Sequence, residues 1–277
     1  MKSPKGWTVA VRDTKGDISL KTVKTKKTPA LLKLPVIRGV VGIFNALSIG
    51  IKAIEFSGSV AYQEKEGDKP ISPLGMAISI SLAIVLAIAL FKFLPLLLTA
   101  IIGDFVRSVS NSSVLFNLID GLFRIGIFLL YIFAIGFWKE MSRIFQYHGA
   151  EHKVIYAYEA GEELTVENAR KHMSCHPRCG TSFLLIVMVI SIMVFIMIPK
   201  EWTFVDKLLS RIALIPVIAG LSYEVLRLSA KMKDNPLMNF LIMPGLLLQR
   251  LTAKEPDDKQ IEVAITALKE VLKLEAE

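Results

Sequence analysis

The chain has 277 residues, 53% of them hydrophobic, with a mean hydropathy of +0.51. That is more apolar than a water-soluble domain and points to a membrane protein. The formal net charge is +8, yet no basic face is interleaved with aromatic or base-reading groups, which argues against nucleic-acid binding.

The basic residues Lys2, Lys5, Arg12, Lys15, Lys21, Lys24, Lys26, Lys27 and Lys33 all precede the first apolar stretch. Lysine and arginine next to membrane segments mark the cytoplasmic side. The polar, Lys-rich start does not read as a cleavable signal peptide. Residues 7–12 and 17–24 alternate apolar and polar side chains about Asp13-Thr14-Lys15-Gly16, the pattern of a β-hairpin. A lone hairpin is marginal in water, so this one must pack on the cytoplasmic loop or on another subunit. Residues 36–56 are apolar on average but carry Arg38, Asn45 and Lys52 on one helical face. Such a helix suits the membrane interface or a protein interior. A polar linker over 62–73 leads to a first span at 74–102, with Lys92 and Pro95 near its far end. A Ser- and Asn-rich turn over 104–113 precedes a second span at 114–138, where Asp120 and Arg124 form an i,i+4 pair that reads as structural neutralisation. Spans at 182–198 and 208–221 follow, joined by a short turn, and then an amphipathic or interfacial stretch at 236–251. Beyond Pro256 the residues Ile261, Ala264, Ile265, Leu268, Val271, Leu272 and Leu274 keep helical spacing among charges, as in a soluble terminal helix.

The expected fold is therefore mainly α: a polytopic helical membrane protein with about four spanning helices plus interfacial helices, a small N-terminal β-hairpin and a cytoplasmic His/Cys loop. Its regions run 1–34, 35–138, 139–181, 182–254 and 255–277. Four spans put both termini and the loop in the cytoplasm, with the lipid bilayer as the first partner and a homo-oligomer as a further expectation.

All four histidines and both cysteines lie between His148 and Cys179. These side chains bind borderline metals or do acid/base and thiol chemistry. On a helix over 140–159, His148 and His152 stand one turn apart with Glu151 beside them. This is the H-x-x-E-H order in which two histidines hold zinc and the glutamate acts as general base on a water. A catalytic Zn²⁺ takes a third protein ligand, for which His176, Cys179 and Glu224 are the candidates. Glu224 enters because topology returns it to the same membrane face, and all these groups are expected in one cluster with His176 at its edge. The spacing of His172 and Cys175 also suits a metal, but Pro177 keeps them off one regular helical face. Singly, His172 reads as solvated and Cys175 as a small packing residue, kept reduced in the cytoplasm. Arg178 suits a phosphate or a helix C-terminus equally.

With Phe145-Gln146-Tyr147-His148-Gly149-Ala150-Glu151-His152-Lys153, Leu164-Thr165-Val166-Glu167-Asn168 and His176-Pro177-Arg178-Cys179-Gly180-Thr181-Ser182-Phe183, the chain resembles the YqhQ-like family of bacterial membrane proteins, at times labelled metal-dependent enzymes. The resemblance continues through Arg211–Pro216, Tyr223-Glu224, Pro244-Gly245-Leu246 and Thr252-Ala253-Lys254-Glu255-Pro256. It implies roles for His148, Glu151, His152, His176, Arg178, Cys179 and Glu224, and not for His172 or Cys175. The family opens with a Gly-Gly-Gln-Ala-Val-Ile-Glu-Gly-Val-Met segment, of which Met1-Lys2-Ser3-Pro4 reads as the continuation, so a truncated start is expected.

Two functions follow as expectations. One is a cytoplasm-facing, zinc-dependent hydrolase; the other is an oligomeric channel, transporter or membrane assembly factor with a structural His/Cys site. The second rests on the Arg38, Asn45, Lys52 stripe and on the charges at Lys92 and Arg124. Peptide, lipid headgroup and nucleotide all stay open as substrates.

Overall fold

The computed structural model describes residues 1–25, 29–62, 72–177, 179–199, 201–231 and 236–276. Strands β1 (Gly6–Arg12) and β2 (Ile18–Lys24) pair antiparallel, with Gly6 opposite Lys24 and Arg12 opposite Ile18. Helices follow as α1 (Ile37–Tyr62), α2 (Pro73–Ile88), α3 (Leu94–Phe105), α4 (Arg107–Asn111), α5 (Ser113–Ile135), α6 (Lys139–Glu159), α7 (Val166–Arg170), α8 (Thr181–Phe195), α9 (Phe204–Ala213), α10 (Ile215–Lys231), α11 (Pro236–Thr252) and α12 (Asp258–Ala276).

Local chemistry sets several boundaries. Ser72, Ser112, Thr165 and Thr203 cap α2, α5, α7 and α9, each hydroxyl accepting from a backbone N–H in the first turn. Gly161 takes φ +71° just after α6, a left-handed step that costs glycine nothing. In the hairpin turn the Asp13 carboxylate accepts from Asp17 N–H at 2.8 Å.

The hairpin, α6, α7 and α12 share one core. Ala150, Val154 and Ala169 are buried against Ile261, Ala264, Ile265, Leu268 and Val271, and Met1 packs on the cluster. Arg12 reaches α12 through the carbonyl of Lys259 and the carboxylate of Glu262, and Lys5 donates to Glu275 O. The hairpin thus packs on the C-terminal helix of the same chain, where the cytoplasmic loop or another subunit was the expected partner. Residues of the hairpin region, of α6 and α7 and of the terminal helix pack on one another.

Among the described residues, three helical stretches are long and apolar enough to cross a membrane: Ile37–Val60, Leu74–Phe105 and Ser113–Ile135. The first contains the stretch expected at the interface. Its Phe56 ring lies 5.5 Å from Lys21 Nζ, which ties its far half to the hairpin. Two of the four expected spans are not among these three. The apolar run of the third, Phe183–Phe195, is shorter than a full span. The fourth, 208–221, is broken between α9 and α10, where Pro216 has no N–H to continue the helical ladder.

Pro95 has a related effect inside the 74–105 helix. It cannot donate to the carbonyl of Phe91, and the backbone widens there into a π-helical turn over Ala89–Phe93. The released Phe91 carbonyl accepts instead from Arg124 Nε at 3.2 Å. In lipid such a group must be satisfied by protein. Arg124 also donates to Asp120 and, at 2.8 Å, to Ser191 Oγ. Asp120 receives Arg211 Nη1 at 2.6 Å, while Arg211 Nη2 donates to Asn117 Oδ1 at 2.7 Å. The fully buried Phe195 ring sits 4.9 Å from Arg124 Cζ, 5.1 Å from Arg211 Cζ and 5.3 Å from Lys92 Nζ. The Asp120–Arg124 pair is therefore part of a network joining the 74–105 helix, α5, α8 and α9.

Replacing Asp120 with alanine leaves two buried guanidiniums without their shared carboxylate. We expect a loss of about 3–5 kcal/mol, against about 0.5–1.5 kcal/mol for Ile261→Val in the core shared by α6 and α12. Thermal unfolding in detergent measures both; a smaller effect at Asp120 contradicts the network.

Candidate metal site

One face of α6 is committed to the core, and the opposite face carries His148, His152, Ile155 and Glu159, each three or four residues after the last. The stripe faces the 172–181 segment and the end of α11. What brings α11 so close is Gly149. A Cβ at that position would lie 2.0 Å from the carbonyl oxygen of Lys254, so only glycine lets the 252–255 backbone rest on the helix. Lys254 then anchors the segment, its N–H donating to Phe145 O at 2.9 Å and its ammonium to Gly136 O at 2.6 Å and Ser142 Oγ at 3.0 Å.

Lys153 does the same for the other flank. Its buried ammonium donates to the carbonyls of Arg170 (3.1 Å) and His172 (2.6 Å) and pairs with the Glu255 carboxylate at 2.8 Å. Glu255 also accepts from Ser174 Oγ at 2.8 Å. Each arm thereby presents a carbonyl to a histidine: Thr252 O lies 2.7 Å from His148 Nδ1, and Ser174 O lies 2.5 Å from His152 Nδ1. A carbonyl only accepts, so each Nδ1 carries a proton, and each ring offers an Nε2 lone pair to the cavity once that nitrogen has given up any proton it shares with Cys179.

Cys179 completes the arrangement. Its Sγ is 3.1 Å from His148 Nε2 and 3.1 Å from Thr181 Oγ1, and it accepts from Thr181 N–H at 3.4 Å. One ligand atom from each of His148, His152 and Cys179 lies within 4.8 Å of the others. Burial pushes the Cys179 thiol up, but hydrogen bonds from His148, His152 and Thr181 outweigh it and bring the thiol down to about 5. Burial lowers His148, but the Cys179 and Thr252 hydrogen bonds dominate and hold it above the ordinary imidazole range. Without metal, a thiolate at Cys179 and a proton on His148 thus favour one another. The three donors open on a cavity of about 320 Å³ also lined by Glu151, Ile155, Glu159, His176 and Gly180.

Among the other expected site residues, Glu151 lies on the cavity wall, half-buried. His176 is buried at the cavity edge, with Nε2 3.4 Å from the Glu159 carboxylate and its ring edge-on to Tyr156 at 4.5 Å. The Gln249 side chain clamps it, accepting from His176 N–H at 2.7 Å and donating to its carbonyl at 3.0 Å. Glu224 is placed elsewhere and corrects the single-cluster expectation. Its carboxylate accepts from Arg38 through Nε (2.7 Å) and Nη2 and from Val36 N–H (3.2 Å), and it is outside the His/His/Cys group. The Arg38 guanidinium holds that carboxyl below its usual range. His172 pairs with Glu162 at 3.0 Å, and Cys175 is half-buried with its thiol pushed up by burial. Arg178 lies outside the described residues. Glu159, Gln249, Thr252 and Glu255 take part without having been singled out in the sequence. Glu159 alone had a readable signal, as the next member of the His148, His152, Ile155 stripe.

Residues 34–274 match the family described as "Protein of unknown function (DUF1385)". The chain is similar to "Uncharacterized protein YqhQ" of Bacillus subtilis (strain 168), with 36% identity over 280 residues covering 98% of this chain and 88% of the relative. No solved structure matches.

The two thiols should separate by pH. In metal-free protein at pH 6–7 Cys179 is mostly thiolate and Cys175 is not, so a small alkylating agent followed by peptide mass spectrometry should label Cys179 first. Labelling of Cys179 falls as pH drops through about 5, and His148→Ala removes its advantage. Equal labelling of both cysteines contradicts the hydrogen-bonded thiolate.

Proposed function

The chain belongs to the DUF1385 family, and on the geometry above we propose that it is a membrane-embedded metalloprotein acting as a zinc-dependent hydrolase, its centre facing the cytoplasm. The observation that carries this reading is the convergence of His148 Nε2, His152 Nε2 and Cys179 Sγ on one side of an open cavity. Three protein ligands with room for a fourth, non-protein group is the pattern of catalytic rather than structural zinc. The donor set fits a divalent ion: two neutral imidazoles, oriented by carbonyls on their other nitrogens, and one thiolate. Bound there, the ion would supply Lewis acidity.

The remaining work falls to the chain's own residues. Glu151 takes the proton of the attacking water as its oxygen adds to the scissile carbon or phosphorus. The leaving group then collects a proton from the Glu151 carboxyl or from the Glu159–His176 pair across the cavity, 3.4 Å apart. Ile155 supplies the apolar wall. The whole donor set comes from one chain, so a second subunit is not needed to build it. The channel or scaffold alternative loses two of its motives, because Arg38 is bound to Glu224 and Arg124 to Asp120. Placement in the bilayer is supported by the three membrane-length apolar helices, and the cytoplasmic orientation by the basic residues that flank them.

Elemental analysis of protein purified in detergent tests the reading. About one zinc per chain is expected, lost in His148→Ala and Cys179→Ala and kept in Glu224→Gln. Glu151→Gln should keep the metal while hydrolysis, screened on peptide, lipid-headgroup and nucleotide esters, falls about 10²–10⁴-fold. Folded protein that is hydrolytically active without metal contradicts the proposal.

A further inference from the structure

The start of α1 is built around a residue in an unusual conformation. Val36 has φ +67°, a left-handed value that a β-branched side chain rarely adopts and that persists only where its surroundings impose it. Here they do. Val36 N–H donates to the Glu224 carboxylate, which is also gripped by Arg38 through two donors. A Cβ on Gly220 would lie 2.4 Å from Val36 Cγ1 and 2.7 Å from Val36 O, and one on Gly39 would lie 2.9 Å from Gly220 Cα. Two glycines therefore bring the backbones of α1 and α10 into contact, as small residues do where membrane helices cross.

Beside this crossing lies a cavity of about 210 Å³ lined by Arg38, Glu224, Arg227 and Leu228. Its side chains carry two guanidiniums and one carboxylate, a surplus of one positive charge. Arg38 uses Nε and Nη2 on Glu224, and among the described residues neither its Nη1 nor any Arg227 donor has an acceptor. Leu228, 55% exposed, adds an apolar wall. A single surplus charge, free guanidinium donors and an apolar side beside the membrane-length helix that carries Arg38 match a monoanionic phosphodiester attached to hydrocarbon.

We propose that this cavity binds a phosphate-type anion through Arg227 and Arg38 Nη1, its occupant in the membrane being the headgroup of an anionic phospholipid. It is separate from the His/Cys cavity and shares no lining residue with it.

The test uses the full chain in nanodiscs of phosphatidylglycerol or phosphatidylcholine, with retained lipid counted by native mass spectrometry. Phosphatidylglycerol should be retained in preference to phosphatidylcholine. Arg227→Ala should lower that retention about fivefold, the worth of about 1 kcal/mol per interfacial basic residue, and Arg227→Lys should keep most of it. Arg227 is exposed, so helical circular dichroism should match in all three proteins. Inorganic phosphate added to delipidated protein in detergent separates the sources. A rise in Tm that Arg227→Ala abolishes supports the same anion chemistry with free phosphate as occupant; no rise, together with phosphatidylglycerol retention, supports the lipid. Equal retention of both lipids with no phosphate effect overturns the proposal, as does retention unchanged in Arg227→Ala.

Discussion

A backbone carbonyl occupies the space where residue 149 would carry a side chain, and the whole His/Cys centre depends on that contact. With Lys254 O against Gly149, the end of α11 comes close enough for Thr252 to receive the His148 Nδ1 proton. The same contact aligns Lys254 with the start of α6 and Glu255 with Lys153. Lys153 in turn draws in the 170–174 segment, whose Ser174 carbonyl orients His152. Two imidazoles are thus aimed by groups on two different connections. Motion of α11 relative to α6 would disturb both, which couples the apolar part of the chain to the chemistry at its edge.

Charge is handled in separate compartments. In the apolar region Asp120 serves two arginines while Phe195 offers its ring to three cations, a compact answer to the cost of ionic groups away from water. At the crossing of α1 and α10, Glu224 is absorbed by Arg38 and by the backbone of Val36. At the His/Cys centre the negative charge is a thiolate, and Glu151 and Glu159 stand on the cavity wall. That division accounts for the place of Glu224 outside the His/His/Cys group: its charge is already balanced, and moving it would expose Arg38 and release a strained backbone.

The hairpin was legible because Asp13 to Gly16 is turn chemistry between alternating residues, and α6 because its polar and apolar positions follow one helical period. His148, His152 and Cys179 stood out by residue type and clustering. Glu224 was misassigned because topology places a residue only on a membrane face, whereas its real partner, Arg38, is 186 residues away with no local signature. The carbonyls of Thr252 and Ser174 were invisible for a simpler reason: every residue has one, and only the folded path reveals which is used. The break at Pro216 was readable from the proline itself, but mean hydropathy over 208–221 hid it. The length of 36–56 likewise suits either a span or an interfacial helix, so its stripe of polar residues could not decide between them.

The central claim is that two imidazoles and one thiolate of a single chain hold a metal. X-ray absorption at the zinc edge of the purified protein tests it most directly. The account requires about two nitrogen scatterers near 2.0–2.1 Å and about one sulfur near 2.3 Å, with the sulfur shell vanishing in Cys179→Ser and unchanged in Glu224→Gln. A first shell without sulfur, or one that changes on substitution of Glu224, would contradict it.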